Sequence, residues 1–280
     1  MNRNEPPRDN GIVWSTRLVS YQTSLPLLLE AADLLDRIKA HDTVLIKPNL
    51  VEALNPPITT HVGIVEALID YLQVHKPDTR IIVGEGTGSL EYDTFRCFRS
   101  LGYARLAGRA KVELVDLNIE PCRHLVNHAC KRWPDLYLPE LLFNCYLISV
   151  PVLKAHSMCR VTLTMKNMMG CAPPAHYHAG GWGKSAFHRR LDEAIFDLNR
   201  YRTADFSIID AAVGMARAHL WGPTCEPPIQ KILAGYDPVA IDAHGAELLG
   251  RRWQSIGHIR MADGTLGTAQ PLDIREPAVA

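Results

Sequence analysis

Short apolar runs of strand length alternate with stretches that carry a helical apolar stripe, and this alternation limits the fold more than any other feature of the chain. Residues 43–47 (TVLIK), 80–83 and 111–117 have strand character, and helices are predicted between them at 61–73 and 92–101. The pattern resumes with strands at 146–152, 206–209 and 230–234 and helices at 191–201 and 237–249. Strands joined through helices cross over and pair in parallel. The expected fold class is therefore α/β, with a mostly parallel sheet, helices on both faces and a long His/Gly-rich loop insertion. Residues 1–10 are predicted as a disordered tail, 11–265 as one domain and 266–280 as a C-terminal tail. At the helix starts, Ser24, Thr60 and Asp237 are the expected caps, the last with Pro238 at the first helical position.

Composition narrows the partners. The 30 basic residues balance the 30 acidic ones, so no net charge favours nucleic acid or an anionic membrane. No apolar run has membrane-spanning length, and the segment MNRNEPPRDNG lacks the apolar core of a signal peptide. A cytoplasmic location is expected, and an oligomer is compatible with this composition. The 7 cysteines are scattered without a CxxC pair, which fits reduced thiols and argues against a zinc ribbon or a ferredoxin-type cluster.

Polar residues concentrate where strands end. In VPVLKAHSMCRVTLTMKNMMG (150–170), Lys154 and His156 share one face of an extended chain. Thr162, Thr164 and Lys166 continue that spacing if the chain stays extended. Asn167 and Gly170 close the segment. So many polar groups after a buried strand are costly unless they meet a ligand or one another. Lys47 and Asn49 share a face at the end of another strand, the edge at which parallel sheets bind ligands. Asp210 ends a third strand. The turn GEGTGS (84–89), which holds Glu85 and Thr87, lies between strand and helix. That context suits anion binding by backbone N–H groups, and it equally suits a tight turn. Ser89 breaks the dinucleotide fingerprint, and no P-loop Lys follows. The loop 171–190, rich in Gly, Pro and His, has the character of a mobile lid. Its His176 and His178, with His156 and an oxygen from Asp210 or Glu85, form a candidate set for a divalent metal. Asp242 is placed to pair with a basic residue or to serve the site.

Six pieces in order resemble the family named domain of unknown function 362. They are IKPNL (46–50), the strand and GEG at 81–86, VPVLKAH (150–156), TLTMKNMMG (162–170), IIDA (208–211) and LAGYDPVAID (233–242). Many members of that family also carry a ferredoxin-like iron–sulfur region. This chain resembles the shared domain without it, which implies no built-in cluster. A more distant likeness, in the strand–helix start, is to lactate-racemase-type proteins.

The expected function is an enzyme of lyase, isomerase or hydrolase type acting on a small carboxylate- or phosphate-bearing substrate. His156, Lys154 and Lys166 are the catalytic candidates, with His156 transferring a proton. Lys47, Asn49, Glu85, Thr87, Thr164, Asn167 and Asp210 are the substrate-binding candidates, and a metal on His156, His176 and His178 is a variant of this scheme. The alternative is a non-catalytic carrier of a metal, an iron–sulfur cluster or an anionic metabolite, for which Cys159 and Cys171 are available beside the basic run.

Overall fold

The computed structural model describes residues 10–39, 43–181 and 183–277. Apart from Asn10, the predicted N-terminal tail lies outside them. The chain begins with β1 (Ile12–Arg17), α1 (Tyr21–Ala31), α2 (Leu34–Arg37), β2 (Val44–Pro48), α3 (Val62–His75), β3 (Ile81–Glu85), α4 (Thr94–Ser100) and β4 (Val112–Asp116). A hairpin of β5 (Cys122–Val126) and β6 (Asp135–Pro139) follows, then β7 (Tyr146–Val150), β8 (Val152–His156), β9 (Arg160–Thr162), α5 (Thr164–Asn167) and α6 (Pro174–Tyr177). The last elements are α7 (Leu191–Tyr201), β10 (Phe206–Met215), β11 (Lys231–Gly235), α8 (Pro238–Leu248), α9 (Gly257–Ala262) and β12 (Asp273–Arg275).

Every residue of β2 and β3 is buried, which is the pattern of parallel strands covered on both faces. Alternate side chains divide between two cores. Val44, Ile46, Ile81 and Val83 pack with Leu25, Leu68 and Phe98 of α1, α3 and α4. Leu45 and Ile82 belong with Leu198, Ala240 and Ile259 of α7, α8 and α9. The sheet order is β12-β1-β11-β10-β7-β2-β3-β4. The block β10-β7-β2-β3-β4 is parallel, whereas β11 runs antiparallel to both β10 and β1. From β2 the chain winds outward through β3 to β4, then returns to place β7 and β10 on the other side of β2. The carboxyl ends of β2 and β7 therefore flank a topological switch point, the place where an open parallel sheet leaves a crevice.

Several expectations are corrected here. The run 146–152 is two strands, because Pro151 offers no N–H to the ladder and the chain shifts to pair with β10 as β8. It then reverses into β9, with Lys154 opposite Thr162 and Arg160 at a φ of 70°. Extended spacing thus ends at Thr162. Thr164 and Lys166 lie on the single helical turn α5, fixed by Asp242, whose carboxylate accepts Thr164 N at 2.7 Å and Met165 N at 3.0 Å. Ser20, not Ser24, caps α1 by accepting Thr23 N at 3.1 Å. His61, not Thr60, caps α3 through Nδ1. Thr60 instead donates to Val150 O at 2.6 Å and accepts Asn49 N at 2.9 Å, tying the ends of β7 and β2. Part of the irregular stretch expected at 118–135 is strand β5 and the start of β6, and β10 runs on to Met215. The predicted tail 266–280 contributes edge strand β12, parallel to β1. No helix among the described residues is long and apolar enough to cross a membrane.

Asp237 takes the cap role expected of it and a second one. Its carboxylate accepts Val239 N at 2.9 Å and Ala240 N at 3.0 Å, and also Gly11 N at 3.0 Å and Thr268 N at 2.8 Å. One side chain thereby joins α8 to both ends of the described chain. Asp237→Ala strands four buried N–H groups, at about 1–3 kcal/mol for each one left unsatisfied. The urea midpoint should fall with a loss of at least ~3 kcal/mol, and a loss no larger than that of an ordinary cap would show that the two tethers contribute nothing.

Candidate functional site

The carboxyl ends of β2, β3 and β8, with α5, border a cavity of about 430 Å³. Its floor is a buried ion pair. Lys47 Nζ, at the end of β2, donates to the two oxygens of Glu85 at 2.9 and 2.8 Å, to Asn167 Oδ1 at 3.2 Å and to Pro48 O at 3.1 Å. The two side chains are 0% and 3% exposed. Glu85 also accepts Leu50 N at 3.2 Å and Gly86 N at 2.8 Å. Asn167 Nδ2 donates to Lys47 O at 3.2 Å and to Ser149 Oγ at 3.0 Å, and Asn49 Nδ2 donates to Asn167 Oδ1 at 3.2 Å. The ends of β2, β3, β7 and α5 are thus joined by one network. A Cβ on Gly170 would collide with Glu85 and Lys47, and one on Gly86 with Gly170 O and Lys184, so both positions need glycine for close approach.

The GEGTGS turn is not an open anion cradle. Gly86 N points at Glu85, Thr87 N at Thr94 Oγ1 (3.1 Å), Gly88 N at Val51 O (3.2 Å) and Ser89 N at Thr87 Oγ1 (3.3 Å). Its backbone donors are already satisfied by the protein, including its own carboxylate.

Of the predicted site residues, Asn49, Glu85, His156, Lys166 and Asn167 line the cavity. Lys47 and Lys154 lie buried beside this group. Lys154 Nζ donates to Ile58 O at 2.5 Å. Burial pushes its ammonium down to about 7, the Lys166 charge acts in the same direction, and Glu85 opposes them. Thr87, Thr164 and Asp210 are not on the wall. Thr87 Oγ1 donates to Val51 O at 3.0 Å, and Thr164 Oγ1 donates to Ser207 Oγ at 2.7 Å. Asp210 accepts from Tyr21 OH at 2.9 Å and Ala212 N at 3.1 Å. Asp242, pushed up to about 7 by burial, serves α5 and not the cavity.

Three imidazoles meet on the wall: His156, His188 and His219. His156 and His219 stack with centroids 4.0 Å apart, and His188 lies 6.4 Å from His156. Burial, then the Lys166 charge, holds His156 far below the ordinary imidazole range and pushes His188 and His219 down to about 4. All three are neutral at pH 7. His156 Nδ1 accepts Met158 N at 3.1 Å and Cys159 N at 3.4 Å, so its ring hydrogen sits on Nε2.

His176 and His178 are both exposed. His176 stacks on Tyr137 of the small hairpin sheet at 4.2 Å. The predicted metal set of His156, His176 and His178 does not converge. Among the described residues, no group of three or more His, Cys, Asp or Glu side chains is placed to hold a metal ion. The described part of loop 171–190 is packed down, with Tyr177 and Phe187 buried. Lys184 straps it to the network by donating to Gly86 O (2.8 Å), Gly170 O (2.8 Å) and Met169 O (3.2 Å). Burial pushes this lysine down to about 8.

Lys184 and His219 are cavity residues that the sequence argument missed. His219 follows β10, and the rule that ligands gather at strand ends would have flagged its loop had the strand been extended to Met215. Lys166 stands apart from the other lysines. It is half-buried on the cavity wall, and among the described residues no hydrogen bond or ion pair engages its ammonium. Lys47 is matched by Glu85, so Lys154, Lys166 and Lys184 leave a cationic excess around the cavity. The wall carboxylate Glu52 is hydrogen-bonded by Tyr92 OH.

The family model described as "Domain of unknown function (DUF362)" matches residues 44–247. No curated protein matches. A solved structure of the lactate racemase apoprotein from Thermoanaerobacterium thermosaccharolyticum is similar at a TM-score of 0.49 and 12% identity, over 87% of this chain and 58% of that one.

Two stability outcomes follow from the buried charges. Glu85→Gln leaves the Lys47 ammonium buried without its counter-charge and should cost about 3–5 kcal/mol in urea unfolding. A free amine titrates near 10.4 in the unfolded chain, against about 7 for folded Lys154. The unfolded state therefore binds more protons across that window, and stability rises with pH through it. Lys154→Met removes this penalty, so its gain in melting temperature should be largest at pH 7 and below and shrink towards pH 10. A gain independent of pH would refute the depressed titration of Lys154.

Proposed function

The chain belongs to the DUF362 family, and on that premise we propose that the cavity at the ends of β2, β3 and β8 binds and transforms a small substrate bearing a carboxylate or phosphate. The observation that carries this reading is Lys166, a cation on the cavity wall that no hydrogen bond or ion pair from the described residues engages. A half-buried cation without a partner has lost part of its hydration, and a bound anion offsets that loss. The position at the switch point supports the same conclusion.

Lys166 holds the anionic group. His156, neutral and protonated on Nε2, is a hydrogen-bond donor to charge that develops on the substrate and not the proton carrier expected from sequence. His188 and His219, neutral and on the wall, are the proton acceptors. This division suits proton transfer beside a carboxylate or phosphate, the chemistry of lyases, isomerases and hydrolases.

Calorimetry with oxalate and inorganic phosphate tests it. Affinity for oxalate, a dianion throughout this range, should fall about tenfold from pH 6 to pH 9, a change of about 1.4 kcal/mol. Lysines depressed by burial deprotonate in that range, while His188 and His219, at about 4, do not change charge. Lys166→Met should weaken binding at pH 6 by at least about tenfold. Binding that ignores both pH and Lys166 would overturn the proposal, and a ligand always returned unchanged would make the protein a carrier.

A further inference from the structure

Lys166 also has the arrangement of an amine nucleophile. Its backbone is rigid: α5 is held by Asp242 at Thr164 N and Met165 N, by the Thr164–Ser207 hydroxyl contact, and by Asn199 Nδ2 on Met165 O at 2.9 Å. The next residue, Asn167, is locked to Lys47, Asn49 and Ser149. Lys166 is placed by this turn on the cavity wall. The other lysines there are occupied. Lys47 is shared among four acceptors, Lys184 donates to three carbonyls, and Lys154 is fully buried on Ile58 O.

We propose that Lys166 forms an imine with the carbonyl carbon of a small 2-oxo acid or aldehyde acid bound in this cavity. The inference deepens the anion-site reading and rests on it. The Nζ lone pair forms the C–N bond as the carbonyl π pair moves to oxygen. One nitrogen hydrogen passes to that oxygen, giving a carbinolamine. Loss of the hydroxyl with the second nitrogen hydrogen, as water, gives the imine, and protonation gives the iminium. The iminium then draws electrons from a bond to the adjacent carbon, and His188 or His219 accepts the proton released there. His156 Nε2–H is available to hydrogen-bond the carbonyl oxygen during addition. Burial and the Lys47 charge favour the free amine, against the opposing influence of Cys159. Neutral imidazoles around it supply no counter-ion that would hold it protonated.

The test is reductive trapping. The protein is incubated with glyoxylate or pyruvate and cyanoborohydride near pH 7, digested, and mapped by mass spectrometry. A reduced adduct at Lys166, at least about tenfold above any other lysine, is expected, because Lys47, Lys154 and Lys184 are held on protein acceptors whereas Lys166 is on the cavity wall without one. Oxalate, which binds as an anion but offers no aldehyde or ketone, should protect Lys166. Lys166→Arg, which cannot form an imine under these conditions, should give no adduct at position 166 and no compensating adduct at another cavity lysine. The site is read from the unsubstituted protein, so the result does not depend on how the variant folds. Oxalate binding without an adduct at Lys166, or an adduct spread evenly over surface lysines, overturns the imine and leaves the anion site standing. Absence of both oxalate binding and adduct overturns both readings.

Discussion

The contact between Lys47 and Glu85 is the constraint on which the rest of the site depends. Removing an ammonium and a carboxylate from water costs several kcal/mol per ion, and their attraction offsets this only when the remaining hydrogen-bonding capacity is met. Here it is met from far apart in sequence. Glu85 receives Leu50 N and Gly86 N, and Lys47 reaches Asn167 and Pro48 O as well. Satisfying one ion pair therefore fixes the ends of β2 and β3, the loop after β2 and the turn α5 relative to one another. Gly170 and Gly86 follow from the same demand, because any side chain there would enter the network. The pieces IKPNL, GEG and KNMMG are one structural object.

With Glu85 matched, the cations nearby are left to depress one another. This explains the state of the imidazoles. His156, His188 and His219 are desolvated and face Lys166, and both effects disfavour a second positive charge. Counting donors separates the lysines further. An ammonium has three hydrogens, and three carbonyls take those of Lys184, which makes it a strap. Among the described residues Lys166 has no such acceptors.

Much of this was legible in the sequence. The order of strands and helices, the helix 191–201 and the Asp237 cap follow from local periodicity and cap chemistry, which act over a few residues. So does the placing of Lys47 and Asn49 on one side at a strand end, and both reach Asn167. What was not legible depends on distant partners. Nothing local to Thr162 and Lys166 announces that the strand will reverse at Arg160, or that Asp242, on another helix, will impose a helical turn. The exposed His176 and His178 had the same residue type and closer spacing than His188 and His219, yet only the latter pair reaches the wall. Loop position is set by packing, here by Tyr177, Phe187 and the Lys184 strap, and not by spacing.

Asp242 shows how a buried carboxylate shapes chemistry without touching it. On an extended chain, Lys154 and Lys166, an even number of positions apart, would project to one side. Lys154 occupies that side in full burial, on a backbone carbonyl. The turn that Asp242 stabilises rotates Lys166 away from this arrangement and onto the cavity wall beside Asn167. Loss of the carboxylate would free two buried N–H groups and with them the direction of the Lys166 stem. The make-up of the cavity wall is in this sense a property of α8 as much as of α5, since Asp242 on α8 holds the turn that carries Lys166.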